Sequence, residues 1–135
     1  MSSATPANEF VTDTMGLILR LEQRRLGLKA KATFEAMENA AAIIQIPAIV
    51  LAEILYLSEK QRINTSIHSV QDYLARFPSC CEMPLNLAIL RSAAEITDIP
   101  ELHDRLIAAT TRSLSRPLIT NDPFIQASAF VTTLE

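Results

Sequence analysis

Residues 43–54 read Ile-Ile-Gln-Ile-Pro-Ala-Ile-Val-Leu-Ala-Glu-Ile, and this stretch decides the fold. The β-branched run 43–46 predicts a buried strand. Pro47 suits the first residue of a helix, where its missing N–H is not needed. The helix that follows, 48–62, is apolar nearly all round at its start, so we expect it to be buried. A strand that leads directly into a helix indicates an α/β unit.

The same alternation of strand and helix extends in both directions from this unit. Short β-prone runs are predicted as strands at 10–12, 43–46, 81–83, 117–120 and 130–131. Periodic or Ala-rich segments between them are predicted as helices, at 16–27 (ended by Gly27), 29–42, 48–62, 65–77, 85–96, 100–113 and 123–127. Short strands separated by helices predict an α/β domain with a mainly parallel sheet.

Length and composition fit a single globular domain. The chain has 135 residues, of which 49% are hydrophobic and 20% charged. Its two glycines are too few for an all-β fold rich in tight turns or for a Gly-rich phosphate loop. The net charge is −3, so a nucleic-acid partner would need a local basic patch or a bound metal to attract it.

The ends of the chain and the cysteines indicate where the protein acts. We expect 1–8 to be a flexible tail and 9–135 to be one domain, with no signal peptide. The apolar run 43–57 is too short to span a bilayer, so we expect no membrane contact. Cys80 and Cys81 are adjacent, lack zinc-site spacing, and read as buried thiols in a reducing cytoplasm.

Glu53 is an acid in unexpected surroundings. It is the only charged residue between Glu38 and Glu59, and the helical positions around it are apolar. A lone carboxylate there is costly unless it is paired or binds a metal. No Lys or Arg lies one helical turn away, so the alternatives are a salt bridge to a distant residue or a metal site.

Three further acids carry two interpretations each. Asp13 ends the first strand, at the edge where parallel sheets bind ligands, but it could also cap the next helix. Asp104 would lie past the first turn of a helix that begins at Pro100, and a surface ion pair is the alternative to a site. Asp122 precedes Pro123, an arrangement typical of a helix cap, yet capping leaves the second oxygen free for ligation.

These acids together favour a divalent cation. Carboxylates that share a small volume raise one another's pKa values or repel, and a cation removes that repulsion. Oxygen ligands select Mg²⁺ or Mn²⁺ over zinc, and a metal-bound water can attack a phosphodiester. Residues of types suited to orienting carboxylates or contacting phosphate flank the acids, namely Thr14, Thr120 and Asn121.

Four motifs, in this order, resemble the PIN domain family and its VapC-like toxin branch. They are Phe-Val-Thr-Asp-Thr at 10–14, Pro-Ala-Ile-Val-Leu-Ala-Glu-Ile at 47–54, Leu-His-Asp-Arg-Leu-Ile-Ala-Ala at 102–109 and Pro-Leu-Ile-Thr-Asn-Asp at 117–122. The resemblance covers nearly the whole chain. It implies a three-layer α/β/α sandwich and a metal-dependent endoribonuclease, the toxin of a type II toxin–antitoxin system.

By the same resemblance, catalysis and the binding of Mg²⁺ or Mn²⁺ fall to Asp13, Glu53, Asp104 and Asp122. It also implies an RNA substrate, a cognate antitoxin and a homodimer. Many relatives carry a histidine two residues after the first aspartate, where this chain has Met15. The alternatives are an inactive PIN-like module that binds RNA or protein, and a phospho-acceptor receiver domain. The receiver would need an acid beside Asp13 and a lysine near residue 120, and neither is present.

Overall fold

A computed structural model describes residues 8–135, so the predicted tail lies outside the described residues except for Asn8. Asn8 is tied to the fold, because its carbonyl accepts a hydrogen bond from the Ile43 N–H at 2.8 Å. Within residues 8–135 the chain forms five strands and seven helices. In chain order they are β1 Glu9–Thr12, α1 Thr14–Leu21, α2 Leu28–Glu38, β2 Ile43–Pro47, α3 Ala48–Glu59, α4 Ile67–Arg76, β3 Cys80–Met83, α5 Leu87–Glu95, α6 Leu102–Leu114, β4 Leu118–Ile119, α7 Pro123–Gln126 and β5 Thr133–Leu134.

The strands form one sheet in the order β3-β2-β1-β4-β5, and every neighbouring pair is parallel. The chain builds outward from β1 to β3 on one side, then crosses back so that β4 and β5 lie on the other side of β1. Right-handed crossovers therefore place helices on opposite faces of the sheet in the two halves. The predicted α/β/α sandwich is confirmed, and its sheet is entirely parallel.

The core is aliphatic and centres on the inner strands. Val11, Ile44, Ile46 and Leu118 have no exposed surface, and Phe34 is the one aromatic residue among the fully buried side chains within residues 8–135. This agrees with a chain in which aromatic residues are 5% and tryptophan is absent. Burial on both faces is what makes the strands read as continuous apolar runs.

The helix after Pro47 differs from its prediction. α3 buries one stripe, represented by Val50 and Ile54, while Leu55 and Tyr56 are 46% and 51% exposed. The expectation that this helix is buried all round is wrong, because it belongs to an outer layer of the sandwich and has the sheet on one side only. Its apolar outer face is therefore accessible.

Two further elements differ from the sequence prediction in where they begin or end. Gly27 does not end the first helix; it is the N-cap of α2, and a β-carbon there would lie 2.6 Å from the backbone carbon of Glu135. The last strand lies at Thr133–Leu134 instead of 130–131, paired with β4. Among residues 8–135, no helix has the length and apolarity that crossing a membrane requires.

Candidate active site at the carboxyl edge of the sheet

Asp13 lies where β1, the central strand, gives way to α1. Its Oδ1 accepts a hydrogen bond from the Gly16 N–H at 2.7 Å, so Asp13 caps α1. The residue is only 6% exposed. Burial raises the pKa of this carboxyl group above its ordinary value, against the opposing effect of hydrogen bonds from Thr120 and Gly16. Asp13 therefore caps α1 and also has a raised pKa.

The turn that holds Asp13 requires a glycine at position 16. A β-carbon on Gly16 would lie 2.6 Å from Thr12 Oγ1 and 3.1 Å from Asp13 Oδ1. The missing side chain lets the first turn of α1 close on the carboxylate. Sequence reasoning missed this role, although Gly16 is one of only two glycines and follows Asp13 by three residues.

Glu53 projects from the middle of α3, and its side chain is 27% exposed. The hydroxyl of Thr14, the first residue of α1, donates a hydrogen bond to Glu53 Oε1. This bond joins α3 to the residue next to Asp13, so it directs the carboxylate toward the end of β1. His103 Nδ1 is 4.0 Å from Glu53 Oε2 but only 3.0 Å from Glu101 Oε2, so the imidazole is held mainly by Glu101.

Asp104 lies in the first turn of α6, because that helix begins at Leu102 with Glu101 as its N-cap. The expectation that Asp104 lies past the first turn is therefore wrong. A helix N-terminus favours a carboxylate, yet the pKa of Asp104 is raised to about 6. Burial is the first cause, and the others are the negative charges of Asp122, Glu101, Glu53 and Asp13, in that order.

Asp122 follows β4, the strand next to β1. Its Oδ1 accepts hydrogen bonds from the N–H groups of Phe124 at 2.8 Å and Ile125 at 3.3 Å, so it caps α7. Its own N–H donates to Thr120 Oγ1 at 3.0 Å. Thr120 also helps to lower the pKa of the Asp13 carboxyl group, so its side chain lies near both acids across the β1–β4 boundary. Asp122 is thus a cap that also stands beside Asp13.

The position of these acids follows from the sheet topology. Strand order reverses at β1, since β2 and β4 lie on its two sides. In open parallel sheets the crevice beyond the carboxyl ends of the strands at such a switch point is where ligands bind. Asp13 and Asp122 follow the two strands at this point, and Glu53 and Asp104 approach it from α3 and α6.

The electrostatics show that all four predicted acids influence one another. Asp104 responds to Asp13, Glu53 and Asp122, and Asp13 responds to Glu53 and Asp122. The donor set is carboxylate oxygen, which suits Mg²⁺ or Mn²⁺. Within residues 8–135, no group of three or more His, Cys, Asp or Glu side chains is arranged so that it could hold a metal ion by itself. The acids fit a hydrated Mg²⁺, which uses one or two carboxylates and several waters, better than a protein cage.

The basic residues differ in their partners and in their distance from this edge. Arg20 pairs with Glu38 at 2.6 Å, and Arg116 lies 3.5 Å from Glu9. Arg25 instead lines a cavity of about 60 Å³ whose wall includes Asp13, Thr120 and Asn121. The sequence placed Arg25 in a basic run without distinguishing it from its neighbours, because only the fold of the loop between α1 and α2 brings it here.

The fold and the site define the class: an α/β/α protein whose parallel sheet has interacting carboxylates at its switch point. Comparison with family models identifies the particular family: residues 11–130 match the PIN domain. The chain therefore belongs to the PIN domain family, a family of nucleases. The receiver-domain alternative is thereby excluded.

Solved structures similar to this chain come from toxin–antitoxin complexes. VapBC2 from Rickettsia felis, bound to a promoter DNA fragment, matches with a TM-score of 0.72 at 16% identity, over 93% of this chain and 97% of that one. FitAcB from Neisseria gonorrhoeae matches with a TM-score of 0.69 at 17% identity, over 93% and 96%. A toxin–antitoxin complex from Klebsiella pneumoniae matches at 0.61 and 20% identity, over 91% and 95%. Comparison with curated protein sequences gives no significant match.

Proposed function

We propose that this protein is a metal-dependent endoribonuclease that hydrolyses RNA phosphodiester bonds. The observation that carries the proposal is the placement of the acids: Asp13 and Asp122 follow the paired strands β1 and β4, and Thr14 bonds Glu53 of α3 beside Asp13. A fold that accumulates negative charge in this way gains stability from a cation. A bound Mg²⁺ or Mn²⁺ would supply an activated water and offset the charge of the phosphate.

One or two of the four acids would bind that ion directly, the others would face it through its waters, and their neighbours would keep them in position. Asp13 is fixed by its bond from Gly16, and Glu53 by its bond from Thr14. Thr120 holds Asp13 and the backbone of Asp122 together. Second contacts of this kind commonly change metal affinity or activity by about 10- to 100-fold when removed. Asn121 is exposed and lines the cavity of about 60 Å³ that Asp13 and Arg25 also line, so its side chain is available to a phosphate oxygen.

The biological setting we propose is a type II toxin–antitoxin system in the cytoplasm. Support comes from the fold shared with VapBC and FitAB complexes. A cognate antitoxin would act by covering the acidic edge, where Met15 is 38% and Phe124 is 65% exposed beside Asp13 and Asp122. Large exposed apolar side chains next to a charged site are suited to a protein partner.

We also propose a homodimer. The outer face of α5 exposes Leu87 at 71% and Leu90 at 44%. A patch that is apolar and self-complementary can serve both copies of a two-fold interface. The competing proposal, an inactive PIN-like module that binds RNA or protein, has less support, because none of the four motif acids is substituted.

The decisive experiment compares wild-type protein with Asp13→Asn in a cleavage assay on single-stranded RNA in Mg²⁺. Asparagine caps a helix as well as aspartate, so the variant should fold while cleavage falls by about 100-fold or more. Glu59→Gln is the matched control, since it removes an exposed carboxylate from the end of α3. Undiminished cleavage by Asp13→Asn would refute the site, and wild-type protein that neither binds metal nor cleaves RNA would favour the inactive module.

A further inference from the structure

An apolar cleft opens next to Glu53, on the outer face of α3. Its volume is about 330 Å³, within the range of small-ligand pockets. Two of the residues that line it are ionisable, and the remainder are aliphatic or aromatic. The cleft is lined by Ile49, Ala52, Glu53, Tyr56, Leu57 and His103.

The cleft is continuous with the acidic edge through Glu53. The carboxylate of Glu53 is bonded to Thr14 beside Asp13 and also lines the cleft. Whatever occupies the cleft is therefore adjacent to Glu53, one of the four acids.

Tyr56 gives the cleft a surface for stacking. Its side chain is 51% exposed, although it belongs to an otherwise apolar helix face. Lys60, one turn along the chain, places its ammonium group over one face of the ring, 5.6 Å from the centroid, which leaves the other face for stacking. The site thus combines an accessible aromatic ring with a nearby cation, the two elements that hold single-stranded nucleic acid through base and phosphate. Glu53 and His103 add hydrogen-bonding groups at the mouth, suited to the edge of a base.

We propose that this cleft binds one unpaired nucleobase of the RNA substrate, stacked on Tyr56 and flanking the bond that is cut. The proposal rests on the proposed nuclease function and adds a subsite to it. A base offers two apolar faces and a polar edge, which match the aliphatic walls and the polar mouth. Lys60 would lie near the phosphate of the same nucleotide. Tyr56 is therefore a substrate-binding residue that positions the strand against the acids.

The first test measures cleavage. Single-stranded RNA is cut in Mg²⁺, the cleaved bond is located, and the base on either side is replaced in turn by an abasic ribose. One of the two replacements should lower kcat/KM for the wild-type protein by about 10-fold. The same replacement should have no effect on Tyr56→Ala, while Tyr56→Phe should behave as wild type. Leu55→Ala is the matched control, since Leu55 is also exposed on α3 but lies outside the cleft.

The second test measures binding, so that the two proposals can fail separately. Fluorescence anisotropy with labelled single-stranded RNA is measured in the Asp13→Asn background, with and without Tyr56→Ala. Cleavage that is indifferent to Tyr56 and to both abasic sites overturns the subsite and leaves the nuclease standing. Binding that depends on Tyr56, without any cleavage by the wild-type protein, supports the subsite and overturns the nuclease. Absence of both cleavage and RNA binding overturns both.

Light scattering of Tyr56→Ala separates the base from a protein occupant. We expect the variant to keep the oligomeric state of the wild type. If it instead dissociates and cleaves intact and abasic RNA equally slowly, the cleft is an interface between copies of the chain. That result would overturn the subsite.

Discussion

The pKa of Glu38 and the pKa values of the acids at the sheet edge are shifted in opposite directions by their surroundings. Glu38, at the end of α2, receives two hydrogen bonds from the Arg20 guanidinium, at 2.9 and 2.6 Å, and one from the Tyr73 hydroxyl at 2.5 Å. Its pKa is lowered, chiefly by the bonds from Arg20. Asp104 and Asp13, at the acidic edge, have raised pKa values because burial and neighbouring carboxylates oppose their charge.

The contrast separates a carboxylate that is paired within the fold from carboxylates that we propose to be functional. Glu38 links three helices, since Arg20 belongs to α1 and Tyr73 to α4, and its charge stabilises the folded state. The acids of the edge reduce stability when no cation is present, and such perturbed groups collect at functional sites. The fold thus contains one carboxylate whose charge is balanced by Arg20 and a group of carboxylates whose hydrogen bonds within residues 8–135 involve no such partner, which we propose as a cation site.

The largest expected effect is stabilisation of the edge by metal. Mg²⁺ or Mn²⁺ at about 100 times its dissociation constant should raise the free energy of unfolding by about 2.7 kcal/mol, because it binds only the folded state. Urea unfolding with and without metal measures this difference. Asp13→Asn should lose most of the gain, and Glu59→Gln should keep it. Equal stabilisation of all three proteins would mean that the metal binds elsewhere.

Removal of the paired carboxylate should have the next largest effect. Glu38→Gln should lower the free energy of unfolding by about 2 kcal/mol, less than for a fully buried pair because both side chains are partly solvated. Glu35→Gln, an exposed change on the same helix, is the control and should cost little. Without metal, Asp104→Asn should not destabilise the protein. If both Glu38→Gln and Asp104→Asn destabilise it equally, the distinction between the two groups does not hold.

The pH dependence of stability should differ between the groups. The pKa of Asp104 in the folded protein is about 6, above its unfolded value of about 3.9. The folded state therefore binds this proton more tightly, and the resulting stability is complete below about pH 4 and lost as pH rises through about 6. Glu38 behaves oppositely, because its pKa is lowered: its contribution is present above the unfolded pKa and lost as pH falls.

A pH series in EDTA measures the difference directly. Asp104→Asn should equal the wild type near pH 4 and exceed its stability by about 1 kcal/mol at pH 7, a value reduced for partial solvent exposure. Urea unfolding at each pH provides the curve. A difference that stays constant from pH 4 to 7 would show that Asp104 is not perturbed in solution.

The smallest effect concerns Asp122, which shares features of both groups. Asp122→Ala removes the cap of α7 and should cost about 1 kcal/mol of stability, whereas Asp122→Asn should cost only a few tenths. Thermal unfolding of the two variants separates the values. Both should cleave RNA more slowly if Asp122 also serves the edge. Normal cleavage by Asp122→Asn would leave capping as its whole role.

The sequence predicted the course of the fold well, because local pattern carries it. The strands at 10–12, 43–46 and 81–83 appear in β1, β2 and β3, and the cap at Asp122 was recognised by residue type. The last strand was misplaced, since a two-residue edge strand has almost no pattern of its own. The exposed face of α3 was also missed, because an apolar composition does not reveal which side a neighbour covers.

For the candidate site, the sequence by itself determined the chemistry of the ligands: four acids, each placed at the end of a strand or in a helix near one. It could not determine that Asp104 and Asp122 repel each other, since charge interactions depend on distance through space and not along the chain. The return of the chain to the far side of β1 decides that distance, because it brings β4 and Asp122 beside Asp13. The tertiary structure also decided that Arg25 is the basic side chain that lines a cavity with Asp13. It decided as well that Tyr56 lines the cleft beside Glu53.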